Sequence, residues 1–293
     1  MGIKMKIDGY TRVCGVIGNP VEHTMSPAIH NTISKALGKN LVYLPFHVPT
    51  GQVGEAVKGA LALNLLGINV TVPYKSEVIP YLEEMDPLAE TIGAVNTLVR
   101  TEKGFKGYNT DMPGLYRAMC EDGVKLAGEK VVLLGAGGVA RAVAILCAEK
   151  GAGQLIILNR TLQKAAKIAE EVNQIAGRPL AQVLALEEYD RLPTEERYLA
   201  IQATNVGMFP KTEETVVEDA EFYRRIHTGY DLIFNPAETK FMSLVKENGG
   251  RAYNGLKMLL YQGIIAYELW TGLEIDSSLA EKAYAEMRTA MGL

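Results

Sequence analysis

The strongest constraint on the fold of this chain is a glycine-rich segment between two apolar runs. Residues 131–134 favour a strand. They are followed directly by residues 135–140, which spell G-x-G-x-x-A. An Ala-rich, helix-favouring segment follows, and a second apolar run lies at 155–158. This strand–helix–strand spacing is typical of a dinucleotide-binding unit, in which the helix N-terminus faces the pyrophosphate. Turns without ligands also use glycine, but the flanking elements favour a cofactor site.

The end of the second apolar run indicates which dinucleotide the site would bind. An NAD site usually carries Asp or Glu about 20 residues after the glycines, on the ribose 2′-hydroxyl. This chain has no acidic residue between positions 151 and 161, and it continues into Asn159, Arg160 and Thr161. A guanidinium suits a 2′-phosphate, whereas a carboxylate would repel it. We therefore expect NADP, with an ordinary surface arginine as the alternative interpretation of Arg160.

Length and composition bound the class of protein. With 293 residues, 48% of them hydrophobic and 22% charged, the chain has room for two domains of a globular enzyme. A net charge of −4 and a pI of about 5.7 argue against nucleic acid or an anionic membrane as a partner. No stretch approaches the ~20 apolar residues of a membrane span, and the first ten residues lack the apolar core of a signal peptide. A cytoplasmic protein fits best.

The cysteines and histidines show no pattern of a metal site. Cys14, Cys120 and Cys147 are far apart, odd in number and flanked by apolar residues, without a C-x-x-C motif. The four histidines lack the spacing of metal ligands. We therefore expect three buried thiols, no disulfide framework and no metal.

Strands and helices alternate along most of the chain, which predicts an α/β fold with largely parallel sheets. Two helices without an intervening strand are predicted at 256–270 and 277–291, and we expect them to dock on the first domain. The predicted domains are therefore 1–112 with 256–293, and 113–255. The predicted strands include 13–17, 41–48, 67–72, 94–100, 182–186, 199–203, 230–234 and 251–253, and the predicted helices include 27–37, 52–63 and 80–85.

Four polar clusters, residues 17–27, 69–75, 93–97 and 109–111, lie at the ends of apolar runs in the first predicted domain. Ligand-binding groups collect at the carboxyl ends of strands in open α/β sheets. The clusters therefore predict a substrate site.

Each polar residue also has a structural interpretation. Ser26 before Pro27 is a natural helix N-cap, and Asp111 could cap the helix that follows it. Lys75 could be a solvated surface charge, and Asn96 could satisfy backbone groups in a turn. Taken singly, each residue favours the structural interpretation, but their joint occurrence favours a site.

The motifs together resemble those of the shikimate dehydrogenase family. They occur in order between residues 17 and 262 as GNPVEHTMSP, NVTVPYK, GAVNT, NTD, GAGG, NRT, ATNVGM, FNP and GLKMLLYQ. The resemblance implies an N-terminal α/β substrate domain, with a mixed sheet completed by C-terminal helices, and a doubly wound Rossmann-type NADP domain. It also implies NADP-linked reduction of 3-dehydroshikimate to shikimate, on the path to chorismate and the aromatic amino acids.

The resemblance assigns roles to individual residues. Lys75 and Asp111 would form the catalytic pair. The other substrate-binding residues would be Thr24, Ser26, Thr71, Asn96, Gln262 and, at the place of a family tyrosine, Phe234. The cofactor-binding residues would be Gly135, Ala136, Gly137, Gly138, Val139, Ala140, Asn159, Arg160, Thr161, Thr204, Asn205, Leu232, Gly255 and Met258.

The chemistry of this pair fits a carbonyl reduction. Reducing a ketone requires a hydride on carbon and a proton on oxygen. A lysine side chain is normally an ammonium at pH 7, so Lys75 could polarise the carbonyl and donate its proton. A carboxylate at Asp111 would favour that charged form.

Three positions depart from the family pattern. Thr24 replaces the first serine of a Ser-x-Ser pair, and Phe234 replaces the tyrosine of Tyr-Asn-Pro. Phe234 cannot donate the phenolic hydrogen bond expected toward the substrate carboxylate. Lys257 stands where the family commonly has glycine. These changes leave the substrate preference open.

Two alternatives follow from the same residues. Quinate dehydrogenase, or a dual quinate/shikimate dehydrogenase, is the alternative enzyme, and it would more often use NAD. A non-catalytic dinucleotide-sensing module would keep the glycine loop but would not require Lys75, Asp111 and the carboxylate-binding hydroxyls. Partners are expected to be small molecules, without nucleic acid or membrane, and a homodimer is a hypothesis that the sequence does not decide.

Overall fold

The protein separates into two units, each built on its own sheet. The computed structural model describes residues 7–293, so the N-terminal segment predicted to lack a signal peptide lies partly outside the described residues. One unit extends to Gly114 and resumes at Leu259–Leu293, and the other is Leu115–Met258. The predicted domain boundaries stay a prediction. Within residues 7–293, none of the helices combines the length and apolar character that crossing a membrane requires.

Strands and helices alternate through both units. The strands are β1 Arg12–Gly18, β2 Leu41–His47, β3 Gly67–Val70, β4 Glu84–Met85, β5 Thr97–Arg100, β6 Phe105–Tyr108, β7 Lys130–Leu134, β8 Gln154–Asn159, β9 Ala181–Ala185, β10 Tyr198–Gln202, β11 Ile226–Asp231 and β12 Arg251–Tyr253. The helices are α1 Ser26–Ala36, α2 Val53–Ala62, α3 Pro87–Ile92, α4 Asp111–Glu121, α5 Gly138–Glu149, α6 Leu162–Ala176, α7 Ala220–Tyr223, α8 Lys240–Glu247, α9 Leu256–Thr271 and α10 Ser277–Ala290.

The first sheet is mixed and has the order β2-β1-β3-β5-β6-β4. Strand β1 pairs in parallel with β2 and β3, whereas β5 is antiparallel to both β3 and β6. Apolar side chains such as Ile68, Leu98 and Phe105 are buried in its core. The C-terminal helices complete this unit: α10 packs on α1, and the Trp270 indole donates to the Leu98 carbonyl at 2.9 Å.

The second sheet is wholly parallel, with the order β12-β11-β10-β7-β8-β9. The chain begins at the centre with β7, runs outward through β8 and β9, and then returns to β10 on the other side. The loops after β7 and β10 therefore leave the same edge of the sheet, at the point where the strand order reverses. Doubly wound sheets bind ligands at this point. The predicted α/β fold with a doubly wound second sheet is confirmed.

Several predicted elements were wrong in their bounds or type. Of the helix predicted at 80–85, only a 3-10 turn at Ile79–Tyr81 forms, and Glu84–Met85 is a strand because it pairs with β6. The strand predicted at 94–100 begins only at Thr97, so Asn96 directly precedes it. The strand predicted at 230–234 ends at Asp231, so Phe234 lies in the loop beyond it.

Strand β6 was missed, because four residues with a lysine and a glycine carry too weak a pattern. The prediction of three buried thiols was also wrong. Cys14 and Cys147 are buried, and burial raises the pKa of each to about 12, but Cys120 at the end of α4 is exposed.

Candidate active site

Lys75 and Asp111 form an ion pair in the first unit. The Lys75 Nζ lies 2.6 Å from Asp111 Oδ2, and the side chains are 33% and 18% exposed. Lys75 follows β3 in a turn anchored by its neighbour Tyr74, whose buried hydroxyl donates to the Val48 carbonyl at 2.7 Å. The Lys75 side chain is therefore held by Asp111 and is not a freely solvated surface charge.

Asn96, the residue before β5, joins this pair. Its Nδ2 donates to Asp111 Oδ1 at 2.9 Å, so both carboxylate oxygens of Asp111 accept a hydrogen bond. The side chain is 2% exposed, and its Oδ1 accepts from the backbone N–H of Thr110 at 2.7 Å. Three residues that are distant in sequence thus form one polar group with donors on both sides of a carboxylate.

The alternative role of Asp111 as a helix cap is not observed. Asp111 is itself the first residue of α4. The Asn109 side chain accepts from the backbone N–H groups of Asp111 at 3.1 Å and Met112 at 3.4 Å, and so fills the capping role. The Asp111 carboxylate is left to Lys75 and Asn96.

The predicted carboxylate-binding residues Thr24 and Ser26 share the turn at the start of α1. Ser26 is buried and is the first helical residue, whereas Met25 occupies the N-cap position without a side-chain cap. The interpretation of Ser26 as the N-cap is therefore wrong. Thr24 Oγ1 accepts from the Ser26 backbone N–H at 3.3 Å, which brings the two side chains to one turn.

Thr71 and Gln262 each pack closely against a glycine on another element of the first unit. Thr71 follows β3, and its methyl group is so close to Gly18, at the end of β1, that a Cβ on Gly18 would be 2.4 Å away. Gln262 on α9 packs against Gly114 of α4, where an added Cβ would be 2.6 Å from the Gln262 backbone nitrogen. Glycine at 114 thus lets α9 approach the helix that begins at Asp111.

The glycine-rich loop of the second unit has the geometry of an anion site. Gly135 has φ +114°, and a Cβ there would lie 2.8 Å from the Thr204 methyl group, so glycine is required. Gly137 is the N-cap of α5 and supplies no side-chain cap, and a Cβ on Gly137 or Gly138 would meet only open space. The start of α5 is therefore uncapped and open beside Gly137 and Gly138, and uncapped helix N-termini of this kind bind phosphate groups. Val139 is exposed beside these glycines, and Ala140 is buried against the sheet.

The residues after β8 form a polar turn. Asn159 ends the strand, and its Nδ2 donates to the Thr161 carbonyl at 2.9 Å. Arg160 and Thr161 are exposed, and Thr161 occupies the N-cap position of α6 without a side-chain cap. A guanidinium and a hydroxyl are thus presented together at the end of the strand adjacent to β7.

Two buried polar residues that the sequence analysis overlooked support the remaining cofactor candidates. Gln202 Oε1 accepts from the backbone N–H and the hydroxyl of Thr204, at 2.6 and 2.7 Å. Asp231 accepts from the Ile233 N–H at 3.0 Å and from the Thr239 hydroxyl at 2.6 Å. Burial raises the pKa of Asp231 to about 6, although these two hydrogen bonds lower it. The two side chains fix the starts of the loops that carry Asn205, Leu232 and Phe234.

Gly255 and Leu232 touch directly: a Cβ on Gly255 would lie 2.2 Å from the Leu232 carbonyl oxygen. Met258 follows on α9, and Phe234 is half-buried in its loop. Lys257, the unexpected residue of this motif, forms an ion pair with Asp122. Among the residues that the structure describes, no group of acidic, histidine or cysteine side chains could hold a metal ion.

Comparison with known proteins gives consistent matches along the chain. Three family models match, described as shikimate dehydrogenase substrate binding domain at residues 16–98, shikimate / quinate 5-dehydrogenase at 118–204, and shikimate 5′-dehydrogenase C-terminal domain at 255–283. A curated shikimate dehydrogenase (NADP(+)) from Carboxydothermus hydrogenoformans is 42% identical over 279 residues, covering 95% of this chain and 98% of the relative.

Two solved structures extend the comparison. Shikimate 5-dehydrogenase from Thermus thermophilus, in complex with NADP(H) and shikimate, is 33% identical with a TM-score of 0.82, covering 94% of this chain and 100% of the other. The 5-ketofructose reductase of a Gluconobacter strain is 30% identical with a TM-score of 0.83, covering 96% and 100%.

Proposed function

Because the chain belongs to the shikimate dehydrogenase family, we propose that it catalyses the reversible, NADP-dependent reduction of 3-dehydroshikimate to shikimate. The product belongs to the route to chorismate and the aromatic amino acids. The observation that carries this proposal is the Lys75–Asp111 ion pair with Asn96 on the second carboxylate oxygen. It joins an amine, a carboxylate and an amide in one polar group, which supports the proposed proton transfer.

The residues of the first unit supply the proton chemistry. Bound NADPH would supply the hydride that reduces the carbonyl carbon. Lys75 donates a proton to the carbonyl oxygen, and Asp111 stabilises the ammonium before this transfer. In the direction of oxidation, Lys75 must first lose its proton, so the pair favours reduction near neutral pH.

Substrate orientation is the role of the surrounding hydroxyls and amides. Thr24 and Ser26 would donate hydrogen bonds to the substrate carboxylate, since both hydroxyls belong to one turn. Thr71, Asn96 and Gln262 would bind ring hydroxyls or the carboxylate. Each supplies the hydrogen-bonding groups that a cyclic polyol acid requires.

The second unit fits NADP. The open space over Gly137 and Gly138 accommodates a pyrophosphate at the uncapped start of α5. Arg160, with Asn159 and Thr161, would hold the 2′-phosphate. Leu232, Gly255 and Met258 would line the nicotinamide side, and Thr204 and Asn205 would lie close to the cofactor. Gln202 and Asp231 fix the loops that carry Thr204, Asn205 and Leu232.

A rate assay on the purified protein tests the proposal directly. Shikimate and quinate are each oxidised with NADP and with NAD, and the absorbance of the reduced cofactor is followed. Faster turnover of shikimate with NADP is expected. Faster turnover of quinate, or of NAD, would instead identify the quinate dehydrogenase alternative. Cofactor binding without turnover of either acid would indicate a dinucleotide-sensing module.

Phe234 keeps the quinate alternative relevant. It brings no hydroxyl to a position where the family usually has tyrosine, so carboxylate recognition differs from the family pattern. We expect a small-molecule substrate and a cytoplasmic location, and a homodimer stays a hypothesis. Sedimentation measurements on the purified protein would check the last of these.

A further inference from the structure

A row of buried hydrogen bonds leads from the interior of the first unit to Asp111. The Tyr43 hydroxyl contacts Asn69 Oδ1 at 2.7 Å, and Asn69 Nδ2 contacts the Thr97 hydroxyl at 3.0 Å. The Thr97 hydroxyl lies 3.1 Å from Asn96 Oδ1, and Asn96 Nδ2 contacts Asp111. The first four of these residues are at most 5% exposed.

Backbone groups fix the direction of every bond in this row. Asn69 Nδ2 also lies 3.2 Å from the Asn96 carbonyl, which can only accept, so the amide nitrogen of Asn69 must face that side. Its Oδ1 therefore faces Tyr43, and the Tyr43 hydroxyl must donate. Burial raises the pKa of Tyr43 well above its ordinary value, so the hydroxyl keeps its proton.

The same argument fixes Asn96. The backbone N–H of Thr110 can only donate, so the atom that it contacts at 2.7 Å is Asn96 Oδ1, and the Asn96 nitrogen must face Asp111. Thr97 accepts from Asn69 and donates to Asn96, either directly or through the Thr110 hydroxyl, which lies 3.1 Å from both. Every donor thus points toward the Asp111 carboxylate.

We propose that Thr97 is a positioning residue for the catalytic pair. Its hydroxyl accepts from Asn69, which itself accepts from Tyr43, and it donates toward Asn96, so the hydrogen bonds all run in one direction. Hydrogen bonds in a row polarise one another, so donors on Asn96 Oδ1 strengthen the bond from its nitrogen to Asp111. That bond holds one carboxylate oxygen, which leaves the other aimed at Lys75. The inference rests on the proposed function, since it assigns Thr97 a role in that reaction.

The test compares Thr97→Val, which keeps the shape of the side chain and removes its hydroxyl, with Thr97→Ser, which keeps the hydroxyl. We expect Thr97→Val to lower the kcat of shikimate oxidation about 2- to 10-fold, the range that one net hydrogen bond represents. Thr97→Ser should recover most of the wild-type kcat. Tyr43→Phe, at the far end of the row, should lower kcat less than Thr97→Val.

Thr228→Val is the matched control. Thr228 is an equally buried strand threonine in the second unit, and its hydroxyl lies 2.9 Å from His227 Nδ1. Its loss should reduce the stability of the fold but leave kcat unchanged. Wild-type kcat in Thr97→Val, or a Thr97→Ser variant as slow as Thr97→Val, would overturn the proposal.

A second measurement separates this inference from the proposed function. The NMR signals of the Asn96 side-chain amide, identified from their loss in Asn96→Asp, should shift in Thr97→Val and shift less in Thr97→Ser. If the wild-type protein does not oxidise shikimate, the proposed function fails, and unchanged amide signals in Thr97→Val would independently reject the row of hydrogen bonds.

Discussion

Lys257 Nζ lies 2.6 Å from Asp122 Oδ1, and the Asp122 side chain is only 8% exposed. Asp122 also accepts from the Tyr230 hydroxyl at 3.2 Å, and its backbone carbonyl accepts from Tyr253. The lysine at a position where the family commonly has glycine thus neutralises a carboxylate that this chain keeps nearly buried.

We therefore expect Lys257→Met, which keeps the apolar stem, to lower the free energy of unfolding by about 1–3 kcal/mol, because it leaves a desolvated charge without its partner. Urea denaturation measures the loss. Adding Asp122→Asn should recover part of it, because the uncompensated charge is then gone. A loss under about 0.5 kcal/mol for the single variant would mean that water replaces the lysine at no cost.

The second prediction concerns Lys75 and the chemical step. A group that transfers a proton in the transition state contributes about 10²- to 10⁴-fold, so Lys75→Ala should lower kcat by that order. The Kd of shikimate, measured by titration, should change little. Asp111→Asn should lower kcat and also raise the Kd of shikimate, because it weakens the bond to Lys75 and a substrate contact. Lys58→Ala removes an exposed lysine paired with Glu55 and serves as control. Normal turnover of Lys75→Ala at saturating shikimate would show that Lys75 only binds.

The sequence predicted this site unevenly, for physical reasons. Local patterns were sufficient for the dinucleotide unit, since β7 and β8 fall within a residue of the apolar runs that predicted them. The motifs also named Lys75, Asn96 and Asp111, but their mutual contacts depend on strand pairing that periodicity does not encode.

No role was predicted for the supporting residues, although Asn69 and Thr97 lie within the polar clusters named from the sequence. Asn69, Thr97, Gln202 and Asp231 are polar residues within strands, and a single sequence does not distinguish a solvated polar side chain from a buried one whose partners come from other elements. Only the fold shows that their hydrogen bonds are satisfied internally.

The third prediction concerns cofactor choice. Arg160→Ala should weaken NADP binding by about 1.5–3 kcal/mol, the size of a hydrogen bond to a charged group, and should barely change NAD binding. Fluorescence or calorimetric titration with both cofactors measures this. Arg191→Ala removes another exposed arginine of the same unit and should affect neither cofactor. Equal losses for NADP and NAD would show that Arg160 does not contact the 2′-phosphate.

The fourth prediction follows from Asp231, whose pKa is raised by burial to about 6. An unfolded aspartate titrates near pH 3.9, so folding favours the protonated form. The contribution to the free energy of unfolding is therefore fully present below about pH 4. It falls by about 3 kcal/mol as the pH rises through 6. Asp231→Asn should lack this fall in the free energy of unfolding. The difference in stability between wild type and variant should therefore change between pH 4 and 7. Parallel stability curves would show that Asp231 does not titrate in this range.

The last prediction concerns Phe234, which lies in the loop after β11 at the place of the family tyrosine. If that correspondence holds, Phe234→Tyr restores a phenolic donor toward the substrate carboxylate. It should then tighten shikimate binding by about 1 kcal/mol or less, the size of one net hydrogen bond. Titration of shikimate in the presence of saturating NADPH, with which it cannot react, measures the change. Phe234→Leu, which adds no hydroxyl, should give no gain.

A large loss of stability or activity in Phe234→Tyr would instead show that the ring packs against an apolar neighbour, because a buried hydroxyl without a partner is costly. The role assigned from the resemblance would then be wrong for this residue.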